Sequence, residues 1–259
     1  MSDWKPELYL KFSKQRTQPA IDLASRIGTA APGRIVDIGC GPGNSTAILK
    51  KRWPNANITG VDSSPAMIAQ AMKTDGDINW VCADASNDLS SLGKFDIVFS
   101  NAAIQWMPHH EELLPQLFSL LETKGVLAVQ VPDTVHMPVH LALQSLVQSE
   151  RWRAKLSGEY SHSTFPAPYY YDILSKLSSD IDLWEAQYYH VMENHLSIVQ
   201  WYSSTGLKPY LDQLESENDQ TDFLCEFENA LKISYPKQMD GFVLFPFTRI
   251  FFIAIKHEI

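Results

Sequence analysis

The chain has 259 residues, 45% of them hydrophobic, which suits one large domain or a domain with an elaborated cap. Its 30 acidic and 21 basic residues give a net charge of −9, and the cations are scattered, so no surface suited to nucleic-acid phosphate is read. Cys40, Cys82 and Cys225 form no CxxC pair, and no signal peptide or apolar run of about 18 residues is read, so the expectation is a cytoplasmic protein with reduced thiols, no zinc site and no membrane partner.

In chain order, residues 1–27 read as an amphipathic helical segment. Strands are expected at 35–38, 58–61, 79–82, 95–99 and 126–131, with helices between them, notably 45–53, 64–73 and 111–121. This βαβ rhythm predicts an α/β fold, a doubly wound, mostly parallel sheet, with the core at about 30–135. Beyond Pro132 come a helix near 139–152, an aromatic and proline-rich stretch at 165–171 and a helical block at 197–231. Late strands at about 181–192 and 247–256 bring the sheet to seven strands. The whole chain reads as a single domain, with a helical lid formed by about 136–180 and 195–235.

The densest signal lies between the first strand and its helix, where residues 37–44 read DIGCGPGN. Gly39, Gly41 and Gly43 lack a Cβ, so the main chain can turn tightly and a ligand can press against it. Asn44 or Ser45 is placed to cap the helix that follows. Asp62 closes the second strand, and in an open parallel sheet its carboxylate stands beside the same crevice, where it can accept hydrogen bonds from a ribose diol. A dinucleotide site would carry GxGxxG and seat a pyrophosphate on the helix N-terminus. Here the spacing is GxGxG, and Asp37 stands two residues ahead of the first glycine, where an anion is unwelcome. A cationic nucleoside with an amino-acid tail suits it, and S-adenosylmethionine carries a sulfonium and an ammonium. The DxGxGxG form resembles motif I of the class I methyltransferases, which are Rossmann-like in fold.

Further cofactor contacts are expected from Ser63 beside Asp62, from Met67 against the adenine, and from Asp84 and Ala85 at the end of the third strand, where an acid can accept from an adenine amino group. The fourth strand opens into SNAAIQWMP, so Asn101, Ala102 and Gln105 fall beneath the methionine moiety and Trp106 walls off the methyl group. His109 and His110, which follow, read as a solvated loop.

Outside these motifs the segments SDWKPELYLKFSKQRTQPAIDL, RWPNANITGVDSSPAMI, NAAIQWMP, GVLAVQVPD, YYDIL and STGLKPYL resemble the trans-aconitate methyltransferase family over nearly the whole chain. The resemblance implies S-adenosylmethionine as methyl donor, S-adenosylhomocysteine as product, and a carboxylate of trans-aconitate or a related small polycarboxylate as acceptor. A carboxylate with a pKa near ~4 is ionised at neutral pH and attacks without a general base. The enzyme must therefore supply alignment and charges for the carboxylates that do not react. The resemblance places the N-terminal helix over the cofactor, and Tyr9, Phe12 and Arg16, three and four residues apart, share one of its faces. Tyr9, Arg16, Trp106, His136, Tyr170 and Arg249 are the candidates for positioning the acid. The alternatives are a carboxyl methyltransferase acting on a malonyl group held by a carrier protein, and a non-catalytic S-adenosylmethionine binder. The sequence leaves the oligomeric state open and is compatible with a monomer.

Overall fold

A computed structural model describes residues 13–74, 77–157, 163–203 and 206–258, and the side chains from residue 17 onward. The chain divides into two compact units. One comprises Ser13–Pro132, Ser163–Ala186 and Arg249–Ile259. The described residues of the other come from Asp133–His162 and Gln187–Thr248.

The first unit is built on a sheet. Its elements are α1 (Ser13–Arg26), β1 (Arg34–Ile38), α2 (Asn44–Arg52), β2 (Asn57–Asp62), α3 (Pro65–Ala71), β3 (Ile78–Cys82), β4 (Phe95–Asn101), α4 (His110–Ser119) and β5 (Leu121–Pro132). In the second unit α5 (Pro138–Val147) follows β5, and α6 (Ala167–Leu174) returns the chain to the first. The strands β6 (Ile181–Met192) and β7 (Val243–Ile255) complete a seven-stranded sheet of order β3-β2-β1-β4-β5-β7-β6. Neighbours from β3 through β5 pair in parallel, while β7 runs antiparallel to β5.

Central parallel strands are covered on both faces, so they need continuous apolar runs. Ile35, Val36 and Ile38 of β1 are fully buried, as are Ile97, Val98 and Phe99 of β4. Ala20, Leu23 and Ala24, with Ile27 just past its end, are the buried stripe of α1, which packs on α2 and β5. The strand order reverses between β1 and β4, and in such sheets the ligand crevice lies at the carboxyl ends of the strands at that point.

Several boundaries differ from the sequence reading, and the helix expected near 139–152 ends at Val147. The expected helix at 111–121 ends at Ser119, and β5 starts at Leu121. Its first residues pass through a register shift opposite Phe95 and Ile97 and through Lys124 at φ 67°, an irregularity that alternation does not reveal. The aromatic stretch at 165–171 is largely helical, because Pro168 falls in the first turn of α6, where its missing N–H costs nothing. The single block at 197–231 divides into α7 (His195–Ser203), α8 (Lys208–Leu211) and α9 (Glu217–Ser234).

The second unit is helical with an aromatic interior. In it α9 packs on α5 and α7, and Trp152, Phe223, Phe227 and Phe245 are fully buried. The indole of Trp152 meets Phe223 edge-on at 5.1 Å and donates Nε1–H to Glu226. Arg151 pairs with Asp222 and Glu226, and Lys155 with Asp219, so these cations brace α9 and do not form a free basic face. No described helix is long and apolar enough to cross a membrane.

Candidate active site

The glycine loop is pinned from below. Gly39 and Cys40 both donate their N–H to the Val61 carbonyl, at 2.8 and 3.0 Å, and Gly43 closes the turn on the Cys40 carbonyl. Gly39, Gly41 and Gly43 take φ values of 70°, 54° and 96°. Gly39 also faces Ala103 so closely that a methyl on it would stand 2.1 Å from the Ala103 Cβ. Gly41, by contrast, has open space on the side where a Cβ would point. Two of the glycines are therefore structural, and Gly41 leaves its main chain approachable.

Asp37 is fully buried beneath this loop, and its Oδ2 accepts from both Ser45 Oγ and Thr46 Oγ1 at 2.6 Å. Its Oδ1 has no protein partner. Burial raises its pKa to about 6, the Ser45 and Thr46 hydroxyls oppose that rise, and the neighbouring Asp62 charge adds to it. Ser45 therefore holds the acid and does not cap α2, whose N-terminus is the left-handed Gly43 without a side-chain cap. Asn44, the other expected cap, has a buried amide nitrogen without a protein partner. Burial drives the Cys40 thiol far up, and Asp37 and Asp62 drive it further, so Cys40 is a packing side chain and not a nucleophile.

Asp62, at the end of β2, receives Gly41 N–H on Oδ2 and Ser64 N–H on Oδ1, both at 2.9 Å. It thus ties the loop after β1 to the turn after β2. Ser64 caps α3 by accepting from Met67 N–H. Ser63 is exposed and Met67 is buried. Trp80 of β3 lies across Gly60 and reaches Gly43, where a Cβ would stand 2.4 and 3.0 Å from its ring. Asp84 is exposed and accepts from Ser86 N–H, as in a solvated turn, while the side chain of Ala85 joins the apolar core.

The end of β4 supplies the third wall. Ser100 Oγ donates to the Ile38 carbonyl and fixes β4 to β1. Ala102 sits at φ 53° with its N–H on the Gln130 carbonyl, and its own carbonyl accepts Gln105 Nε2–H at 2.7 Å. Asn101 Oδ1 and Gln105 Oε1 are buried acceptors without protein partners. Trp106 closes the short turn Ile104–Trp106 and is half-buried. Arg249 of β7 is 4% exposed and donates Nη1–H to Gln130 Oε1 at 3.2 Å.

Other candidates fall elsewhere. Tyr170 is fully buried against Phe252, and its hydroxyl meets His110 Nδ1 at 3.2 Å, so it is a core residue. His110 is not in a solvated loop: it opens α4, fully buried, with Nε2 on the Ile104 carbonyl at 2.8 Å. That nitrogen must donate, so Nδ1 of the neutral ring accepts from Tyr170; burial lowers the His110 pKa and keeps the ring neutral. His136 is exposed in the turn after β5. Tyr9 and Phe12 lie outside the described residues, and Arg16 is in the first turn of α1 with its side chain outside them. Sequence reasoning missed Ser45 and Thr46 as holders of Asp37, and also Trp80, Ala103 and Gln130. A pair of hydroxyl residues just after the last glycine was the available signal for the first two.

These residues favour a nucleoside with a cationic tail over a pyrophosphate. Two carboxylates, Asp37 and Asp62, stand around the loop, and unpartnered acceptors lie at Asp37 Oδ1, Asn101 Oδ1 and Gln105 Oε1. Asp62, Gly41, Asn101 and Gln105 are the residues that would hold S-adenosylmethionine. Among the described residues no group of three His, Cys, Asp or Glu side chains is placed to hold a metal ion.

The fold and site define a class I, S-adenosylmethionine-dependent methyltransferase. A family model for a methyltransferase domain matches residues 35–125. The trans-aconitate 2-methyltransferase of Escherichia coli is 43% identical over the full length of both chains, and this chain belongs to the trans-aconitate 2-methyltransferase family. Solved structures share the fold. A phosphoethanolamine N-methyltransferase 2 of Haemonchus contortus, in complex with phosphomonomethylethanolamine and S-adenosylhomocysteine, matches with a TM-score of 0.56 at 19% identity over 93% of this chain and 53% of its own. The YcgJ protein of Bacillus subtilis matches with the same TM-score at 15% identity, over 93% of this chain and 99% of its own.

Proposed function

We propose that this enzyme methyl-esterifies one carboxylate of trans-aconitate or a closely related small polycarboxylic acid. The observation that carries the choice of acid is the full-length likeness to enzymes of that name at 43% identity. The buried Arg249 guanidinium beside the ends of β4 and β5 supports it, because a cation there offsets the charge of a carboxylate.

S-adenosylmethionine, when bound, supplies a methyl group on a cationic sulfur and leaves as neutral S-adenosylhomocysteine. The acid's carboxylate oxygen forms the new bond to carbon, and its negative charge cancels the sulfonium charge. No proton moves, which agrees with the roles found here: His110 is buried and engaged, and the Cys40 thiol is held protonated. The chain's part is alignment, worth ~7 to 11 kcal/mol when geometry is well fixed. Asp62 and the glycine loop hold the nucleoside, Asn101 and Gln105 accept from the amino-acid tail, and Arg249 orients the acid. Trp106 and Arg16 join the positioning residues in this reading, while Tyr9, the other candidate near the N-terminus, lies outside the described residues. The three free thiols support a reducing compartment such as the cytoplasm.

The test is release of S-adenosylhomocysteine with trans-aconitate, cis-aconitate, citrate, isocitrate and malonyl carrier protein in parallel. Fastest turnover with trans-aconitate is expected. Turnover with the carrier protein and none of the free acids would replace this reading with the carrier-linked one.

A further inference from the structure

Register places Asn101, Gln130 and Arg249 on one face of the sheet. Asn101 and Gln130 are direct partners across β4 and β5, Gln130 faces Phe251 across β5 and β7, and Arg249 lies two residues from Phe251. Because β7 is antiparallel, its early residue Arg249 reaches the carboxyl end of β5, where the crevice lies. Gln130 is fully buried, and both ends of its side-chain amide carry information. Oε1 accepts from Arg249 Nη1, which fixes the amide's orientation, since the flipped amide would oppose two donors. Nε2 therefore points away from the guanidinium, and it has no protein partner. Its own carbonyl meanwhile holds Ala102, the residue that anchors Gln105.

A buried donor without a partner destabilises the fold, and a natural protein keeps one where a ligand satisfies it. The choice of amide also matters. A glutamate at 130 would add a negative charge beside Arg249, whereas glutamine orients the guanidinium without adding one.

Resting on the reading above, we propose that Gln130 is a specificity-determining residue for the acid: Oε1 sets the Arg249 guanidinium, and Nε2 donates to a carboxylate of the substrate that does not react. The two groups form one carboxylate-binding pair, next to the acceptors Asn101 and Gln105 that suit the cationic tail of the methyl donor.

The test compares wild type, Gln130→Met and Gln130→Glu in steady-state methylation of trans-aconitate, with S-adenosylhomocysteine affinity measured by calorimetry on each. Gln130→Met removes both amide groups at similar volume and is expected to raise the acid's KM tenfold to a hundredfold, the scale of a lost hydrogen bond to a charged group. S-adenosylhomocysteine affinity is expected to stay within twofold. Gln130→Glu keeps a partner for Arg249, so it remains folded, and is expected to raise the acid's KM further. An unchanged KM in either folded variant, or equal losses for acid and cofactor, overturns the assignment. If wild type methylates none of the free acids, the underlying reading falls first and this one with it.

Discussion

Gly39→Ala tests the loop geometry quantitatively. Gly39 takes φ 70°, in the left-handed region where an L side chain costs roughly 1–2 kcal/mol. The added methyl would stand 2.1 Å from the Ala103 Cβ, against the ~3.5–4 Å of ordinary contact, so one main chain must retreat by more than 1 Å. The loop cannot slide freely, because the Gly39 and Cys40 amides share the Val61 carbonyl and Ser100 ties β4 to β1. Overpacking of this kind costs roughly 1–3 kcal/mol, which brings the total to about 2–5 kcal/mol. Gly41→Ala is the internal control: φ is 54°, nothing lies within 4 Å, and the conformational cost of roughly 1–2 kcal/mol stands alone. Urea unfolding of both variants, with Ala103→Gly and the Gly39→Ala/Ala103→Gly double variant, separates the terms. The double variant is expected to recover about 1–3 kcal/mol. Equal losses at Gly39 and Gly41, or no recovery, would refute the argument.

Asp37 makes stability depend on pH in an unusual direction. Its folded pKa is raised from 3.8 to about 6, so the folded state holds the proton more tightly. The associated stability is full below about 4 and is lost as pH rises through about 6, a change of about 3 kcal/mol. Asp37→Asn can still accept from Ser45 and Thr46, and should gain stability relative to wild type between pH 4 and pH 7.5 in urea titrations. Parallel curves would count against a buried, proton-retaining Asp37. Tyr170→Phe should lower stability by about 1 kcal/mol and leave the acid's KM unchanged, whereas a raised KM would return Tyr170 to the substrate site. In the second unit Trp152→Ala should cost about 3–5 kcal/mol, while Arg151→Ala, which breaks half-exposed ion pairs, should cost under about 1 kcal/mol; a reversed order in thermal melts would contradict the packing account.

The parts of the fold legible in the sequence are those where a residue's own covalent structure limits the backbone. Glycines at 39, 41 and 43 and the apolar run of β1 announce a strand, a turn and a helix, and Asp62 marks a strand end because the buried run from Ile58 to Val61 stops at it. Residues whose role depends on distant partners stay hidden. Gln130 in AVQVP reads as one polar residue in a strand, and nothing local shows that its amide meets Arg249, 119 positions away. His110 and Tyr170 are separated by 60 positions, so a histidine after MPH looked solvated until its partner was in place. Asp37 was legible as an acid near the loop, but its burial under Ser45 and Thr46 follows from how α2 returns over β1. Leu121, the first residue of β5, reads as the end of the preceding helix because the register shift between Phe95 and Ile97 and three exposed residues separate it from the buried run that follows.

The central claim is that a carboxylate of the acid accepts the methyl group with no base. Incubation with trans-aconitate and S-adenosylmethionine labelled with carbon-13 at the methyl group, followed by carbon NMR, tests it directly. One methyl ester is expected for each S-adenosylmethionine consumed, with a kcat that stays flat above the acid's own ionisation. A label found on carbon or nitrogen, or in no product at all, would contradict it.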